Sequence, residues 1–223
     1  MEDGNYQQAI EIFRQIEQEG RVSGPLFYNA GISYLYLDSL GKASWYFHKS
    51  TRFRNTASTG ADAIEIIENL LKNRGTYIPR LPWYAFIDWL HFGLNHYSWI
   101  IRGLILLNIG IMLLLAGWLY FKDDRVALVG KIAAATALVL ILSASLLYIW
   151  SKNYQQGVIV RNAVPIQPVP GNFVEEDLTP DLAYEAYTVT LDLTLSREYT
   201  GWLYVRLQNG VSGWVPEPAV RTL

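Results

Sequence analysis

The sequence predicts a three-part membrane protein: an α-helical segment, a two-helix transmembrane hairpin and a small all-β barrel. Three observations carry this. Sequence self-similarity at a spacing of 34 residues appears near the N-terminus, with Ala9 recurring as Ala43 and Phe13 as Phe47. Two long runs, 103–121 and 132–150, contain no charged residue. Beyond Trp150 the texture changes to short alternating runs separated by turn residues. The parts are expected at 1–76, 77–98 (an interfacial helix), 99–150 and 151–223.

Composition sets the frame. The chain has 223 residues, of which 51% are hydrophobic and 17% charged, against roughly 25% charged in an ordinary soluble protein. The formal charge of −2 leaves no basic footprint for nucleic acid. Cysteine is absent, which excludes disulfides, a thiolate nucleophile and zinc–thiolate sites. Three histidines (His48, His91, His96) leave any metal site dependent on carboxylates, and no metal or other cofactor is expected. Eight tryptophans and fifteen tyrosines suit membrane interfaces and small barrels.

Residues 24–57 resemble the tetratricopeptide repeat, with Phe27, Ala30, Gly31 and Tyr34 on its first helix and Ala43, Phe47 and Ser50 on its second. Asn55 replaces the usual proline and Ala30 the usual leucine. Residues 5–19 read as the second helix of a preceding repeat whose first helix is absent, so the chain is expected to be truncated at its N-terminus. A third helix over 59–73, with Ile64, Ile67 and Leu71 on one face, closes the array. Tyr28, Ile32, Leu35 and Tyr36 are the candidate partner-binding groove of the first helix. The competing reading is packing against a neighbouring helix.

Residues 80–99 place Trp83, Phe86, Ile87, Leu90 and Leu94 at helical spacing after Pro82, as expected of a helix lying on a membrane surface. His91 and His96 read there as interfacial polar groups. The spans that follow, 99–121 and 128–150, exceed the ~18–20 residues needed to cross ~30 Å of hydrocarbon. Trp99, Trp118, Tyr120, Tyr148 and Trp150 mark their ends. Lys122, Asp123, Asp124 and Arg125 form a short link, so the spans make an antiparallel hairpin with both large segments on one side. Lys122, Arg125 and Lys131 at the loop, against Arg102 and Lys152 at the open end, lean the loop to the cytoplasm and both large segments to the periplasm.

Glycine occurs in the first span at Gly103, Gly110 and Gly117, seven residues apart and therefore on one face. Gly130, Ala137 and Ala144 repeat the spacing in the second. Close backbone approach through small residues favours helix packing in lipid. The expected pairs at equal depth are Gly117 with Gly130, Gly110 with Ala137, and Gly103 with Ala144. Asn108 is the strongly polar residue deep in the first span, free to bond across to a helix or to its own backbone.

After Trp150, residues 157–161, 163–168, 183–195, 202–207 and 212–215 read as strands, with Gln208-Asn209-Gly210 a hairpin turn and 216–219 a short helical turn before a last strand. Trp202, Gly210, Gly213, Trp214 and Val215 resemble the end of a bacterial SH3-like domain. Period two puts Leu203, Val205 and Leu207 in the core and Trp202 and Tyr204 toward the surface. Trp202, Tyr204 and Trp214 are the barrel's candidate partner-binding residues.

No phosphate loop, dinucleotide fingerprint, His-Glu-x-x-His or Gly-x-Ser-x-Gly motif is present, so no enzyme is expected. The acidic run Glu175, Glu176 and Asp177 reads as a solvated loop. Together, the module order resembles the E-protein family of the Bacteroides aerotolerance operon (BatE). That resemblance implies an exported, membrane-anchored scaffold of the bacterial inner membrane, in an envelope complex linked to oxidative-stress tolerance. It also implies partner membrane proteins with von Willebrand A-type domains and a signal peptide, which the sequence lacks. The alternative expectation is an envelope sensor or cell-wall receptor acting through the SH3-like domain.

Overall fold

The computed structural model describes residues 5–93, 95–121, 124–171 and 181–223. They fall into two units, Met1–Tyr84 with Gln155–Leu223, and Ala85–Tyr154.

In the first unit, the Asn5 side chain accepts from the Gln8 N–H at 3.2 Å and starts α1 (Tyr6–Gln18). Ser23 accepts from the Leu26 N–H at 3.3 Å and, with Pro25 in the first turn, starts α2 (Gly24–Tyr36). A turn through Asp38, at φ +54°, leads into α3 (Leu40–Ser50), and α4 (Ala57–Asn73) follows. Ala30, Gly31, Tyr34, Ala43 and Phe47, residues singled out by the repeat pattern, are all buried. A Cβ at Gly31 would lie 2.6 Å from the Phe47 ring, so glycine lets α2 and α3 close on each other. α1 is tied to α3 by the Glu17–Lys49 ion pair and by the Tyr46 hydroxyl, which donates to Glu17 at 3.0 Å. The Lys49 ammonium also lies over the Phe27 and Trp45 rings, at 4.1 and 4.3 Å.

The β segment is a five-stranded sheet of β1 (Tyr154–Ile159), β4 (Thr188–Asp192), β5 (Trp202–Arg206), β6 (Ser212–Pro216) and β7 (Val220–Thr222), in the order β6-β5-β4-β1-β7. A two-stranded ladder joins β2 (Val164–Pro165) to β3 (Leu182–Ala183). β4–β5, β5–β6 and β1–β7 are antiparallel. Gly210, at φ +90°, turns β5 into β6, and the Leu207 N–H closes the hairpin on the Val211 carbonyl at 2.8 Å. Val205 and Leu207 are buried, and Leu203 is half-buried against the core.

The alternating stretch 183–195 is not one strand. Ala186 turns at φ +68° between β3 and β4. After Asp192 the chain forms a helical turn, α8 (Leu193–Ser196). The cause is local: the Asp192 carboxylate accepts from the Thr194 and Leu195 N–H groups at 2.9 and 3.1 Å, an N-cap that outcompetes the ladder.

The helical and β segments share one hydrophobic core. Phe47, Ile67 and Leu71 belong to the same buried cluster as Ile159, Leu191, Val205 and Val215. The Trp45 indole donates to the Thr222 carbonyl at 2.8 Å, and the Gly41 N–H donates to the Glu185 carboxylate at 3.2 Å. A Cβ at Gly41 would lie 2.6 Å from the Ile159 carbonyl oxygen and 2.7 Å from the Val160 Cα. The Tyr187 hydroxyl donates to the Thr76 carbonyl. α3 and α4 thus turn apolar faces to the sheet, and the segments expected at 1–76 and 151–223 complete each other's interior.

The second unit is dominated by α6 (His96–Ala116) and α7 (Asp124–Ser151), joined through a π-helical turn at Gly117–Phe121. Both are long and apolar enough to cross a membrane, over Tyr97–Tyr120 and Arg125–Ser151. Asp124 and Arg125, read in sequence as part of the link, lie in the first turn of α7; Lys122 and Asp123 lie outside the described residues.

The single interfacial helix expected over 77–98 is interrupted. α5 (Pro82–Asp88), which runs from the first unit into the second, is followed by a π-helical turn at Trp89–Gly93. Asn95 then caps α6, its side chain accepting from the Ser98 N–H at 3.2 Å, so residues 96–98 belong to α6. Gly93 is a poor helix former, and Asn95 offers a competing start. His91 is buried rather than interfacial: its ring stacks on Tyr154 at 4.5 Å and meets Trp150 edge-on at 4.3 Å.

The small residues of the hairpin, Gly103, Gly110, Gly117, Gly130, Ala137 and Ala144, are buried, and the four glycines and Ala137 lie in the α6–α7 interface. Their register differs from equal-depth pairing. Gly110 sits against Ala134, Gly117 against Ala127 and Gly103 against Ile141, each three residues before the expected partner. A stripe member settles midway between two members of the facing stripe, because interleaved small residues bring backbones closer than residues meeting head-on. A Cβ at Gly110 would stand 2.8 Å from the Ala134 nitrogen and 3.1 Å from the Gly130 carbonyl oxygen.

Candidate interaction surfaces

The residues singled out on α2 do not behave as one groove. Tyr28, Ile32 and Leu35 are half-buried and pack on the core, Tyr28 with its ring 5.6 Å from Phe47. Tyr36 is 66% exposed, and its ring stacks on Tyr6 at 4.4 Å with 6° between planes. The outward-facing element is therefore a tyrosine pair from α1 and α2. Tyr6 precedes the apolar periodicity of its helix, and no sequence signal marks it. A second opening between the same helices is a shallow apolar concavity lined by Phe13, Ile16, Val22, Pro25 and Leu26, with Arg21 among its lining residues.

On the sheet, Tyr204 and Trp214 oppose each other across β5 and β6, their rings edge-on at 5.4 Å. Tyr199 covers Trp214 from a further edge at 4.9 Å. Trp214 is only 6% exposed, so it supports the cluster from beneath and offers no free ring face. Trp202 and Tyr204 are half-buried, and the Tyr204 hydroxyl bonds the Ser212 hydroxyl at 3.1 Å. Tyr199 is the more open member at 43% exposure. It lies in the turn between α8 and β5, where period-two reasoning does not reach.

A third feature is a crevice between the helices and the sheet, lined by Ile64, Ile67, Glu68, Leu71, Tyr77 and Tyr187, among others, with an empty volume of about 450 Å³ including its open mouth. It is built from segments more than a hundred residues apart, so no local pattern announces it. Close by, His48 lies 3.5 Å from the Thr188 hydroxyl. Burial, then the Arg80 and Arg52 charges, hold its imidazole down at about 4, so it is neutral at physiological pH. Burial, followed by the neighbouring Tyr184, pushes the Tyr187 hydroxyl up to about 12 and keeps it a hydrogen-bond donor. Tyr46 is raised by burial and then by Glu17, whose carboxylate accepts the hydrogen bond from its hydroxyl.

Among the described residues no three His, Asp or Glu side chains group so as to hold a metal ion. The acidic run Glu175, Glu176 and Asp177 lies outside the described residues. These surfaces are aromatic or apolar with sparse charge, a chemistry suited to contact with protein or lipid. Comparison of the chain with protein-family models, with curated proteins and with solved structures finds no match.

Proposed function

We propose that this chain is a membrane-anchored interaction protein: the hairpin spans a bilayer, and the first unit recruits partner proteins on one side of it. The observation that carries the reading is the exposure of α6 and α7. In their most apolar windows only 17% and 11% of residues are buried, whereas the core helix of a soluble protein would be mostly buried. So much exposed apolar surface requires lipid or another protein to cover it.

In line with the family resemblance, the chain acts as a scaffold of a bacterial envelope complex at the inner membrane. Both large segments are periplasmic, the helical part is of tetratricopeptide type, and the barrel is SH3-like. Its partners include membrane proteins with von Willebrand A-type domains, and the complex serves oxidative-stress tolerance. It is not an enzyme. The Tyr6–Tyr36 stack and the Tyr199–Tyr204–Trp214 cluster are the recruiting surfaces.

The test is affinity purification of the full chain from crosslinked bacterial membranes, with mass spectrometry, comparing wild type with Tyr36→Ala and Tyr199→Ala. The expected result is a defined set of membrane proteins, depleted at least tenfold in one variant while the chain itself stays resistant to carbonate extraction. Recovery of the same set with both variants would reject these surfaces. Release by carbonate would reject the anchor.

A further inference from the structure

Asn108 stands at the middle of the Tyr97–Tyr120 span, eleven residues from one end and twelve from the other. At 1.5 Å per residue it lies within about 1 Å of the centre of that helix. It is exposed, on the face of α6 turned away from α7. Two residues along an α-helix are about 200° apart, which sets Asn108 opposite the Gly110 stripe. One Nδ2–H donates to the Leu104 carbonyl at 2.8 Å. The second N–H and both lone pairs of Oδ1 have no partner among the described residues. Ser143 on α7 differs, because its single proton is used on the Leu140 carbonyl at 3.1 Å.

An amide left half-satisfied at the bilayer centre is costly, because hydrocarbon offers it no partner. The residues around it form a seam. Ile101, Ile105, Met112, Leu115 and Leu119 alternate with Asn108 at spacings of four and three, and they are 40%, 56%, 69%, 50% and 57% exposed. That is the heptad spacing of a helix–helix contact, with one polar residue at a central position, as in coiled coils where a single asparagine fixes register.

The chemistry of the amide selects the occupant. A carboxamide is self-complementary, offering a donor and an acceptor to its own copy. Copies inserted in the same orientation place Asn108 at the same depth. We infer that α6 carries a homodimer seam, in which two copies of this chain pair in parallel through an Asn108–Asn108 hydrogen bond at the bilayer centre. The inference rests on the membrane-spanning reading of the hairpin, which has its own readout below.

The full chain is reconstituted in phosphatidylcholine vesicles. Flotation with the vesicles reports insertion; a chain that stays behind overturns the membrane reading and the seam with it. In floated vesicles, energy transfer between copies labelled at Ser58→Cys, followed on lipid dilution, reports pairing; the native chain has no cysteine to interfere. Asn108→Leu should raise the dimer dissociation constant about five- to thirtyfold, while Asn108→Gln retains pairing. Single cysteines Ile105→Cys and Met112→Cys should form disulfides between chains, and Val139→Cys on α7 should not. Unchanged pairing in Asn108→Leu, absence of pairing at every density, or crosslinking only through Val139→Cys would overturn the seam. Crosslinking of Met112→Cys to a different protein in native membranes, without chain-to-chain product, would overturn the second copy as occupant.

Discussion

Replacing Gly41 by alanine tests whether the helical and β segments form one interior, because the two possibilities give opposite signs. Gly41 lies in the first turn of α3, and in an isolated helix Gly→Ala stabilises by up to about 1 kcal/mol. Here the new Cβ would fall 2.6 Å from the Ile159 oxygen, 2.7 Å from the Val160 Cα and 3.2 Å from the Glu185 Cβ. Two of these are backbone atoms of the sheet side and cannot swing aside, so the cost belongs in the upper part of the ~1–3 kcal/mol range for overpacking. The propensity gain offsets part of it, leaving a net loss of about 1–2 kcal/mol. For a unit of this size that corresponds to roughly 2–8 °C in Tm. The assay is thermal and guanidinium unfolding of the full chain in detergent, followed by near-ultraviolet circular dichroism. A variant as stable as wild type, or more so, would refute a shared core at this point.

Four other outcomes are expected. His48 is held neutral, with its folded pKa near 4 below the ordinary 6.5; its contribution is fully present above pH 6.5 and is lost as the pH falls toward 4. This amounts to up to about 3 kcal/mol, so His48→Gln should flatten stability against pH over that interval in pH-stepped denaturation. Val205 is fully buried, and Val205→Asp should cost more than about 4 kcal/mol and unfold the sheet. Half-buried Trp202→Ala should cost about 1–2 kcal/mol and leave a folded chain by the same dichroism. Gly110→Leu should part the hairpin, abolishing the intrachain disulfide otherwise expected between Gly103→Cys and Ile141→Cys.

Much of this organisation is legible in the sequence because it depends on local period. The apolar runs, the α2–α3 pair with Gly31 under Phe47, the Asn209-Gly210 turn and the burial of Val205 follow from spacing alone. The misses come from competition that a period does not express. Asp192 spends its carboxylate on two backbone N–H groups and ends β4 early. Asn95 restarts a helix that apolar spacing alone reads as continuous. The glycine stripe is visible, but its stagger of three residues is set by how two surfaces interleave. The interaction surfaces are the least legible part. Tyr6 meets Tyr36, and Tyr199 meets Trp214, only after distant segments are brought together.

The shared interior makes the hairpin an insertion into a folded body, and this sets an order of events during synthesis. Gly41 waits for Glu185 across 144 residues, and Trp45 for Thr222 across 177. The α2–α3 pair can form as soon as it leaves the ribosome, but the faces of α3 and α4 stay uncovered until both hairpin helices have been made and the last strands have emerged. Contacts so remote in sequence close slowly. Completion of the hairpin is thus read out by the fold itself: a chain whose α7 fails to return alongside α6 leaves those faces bare, a ready mark for chaperones and proteases.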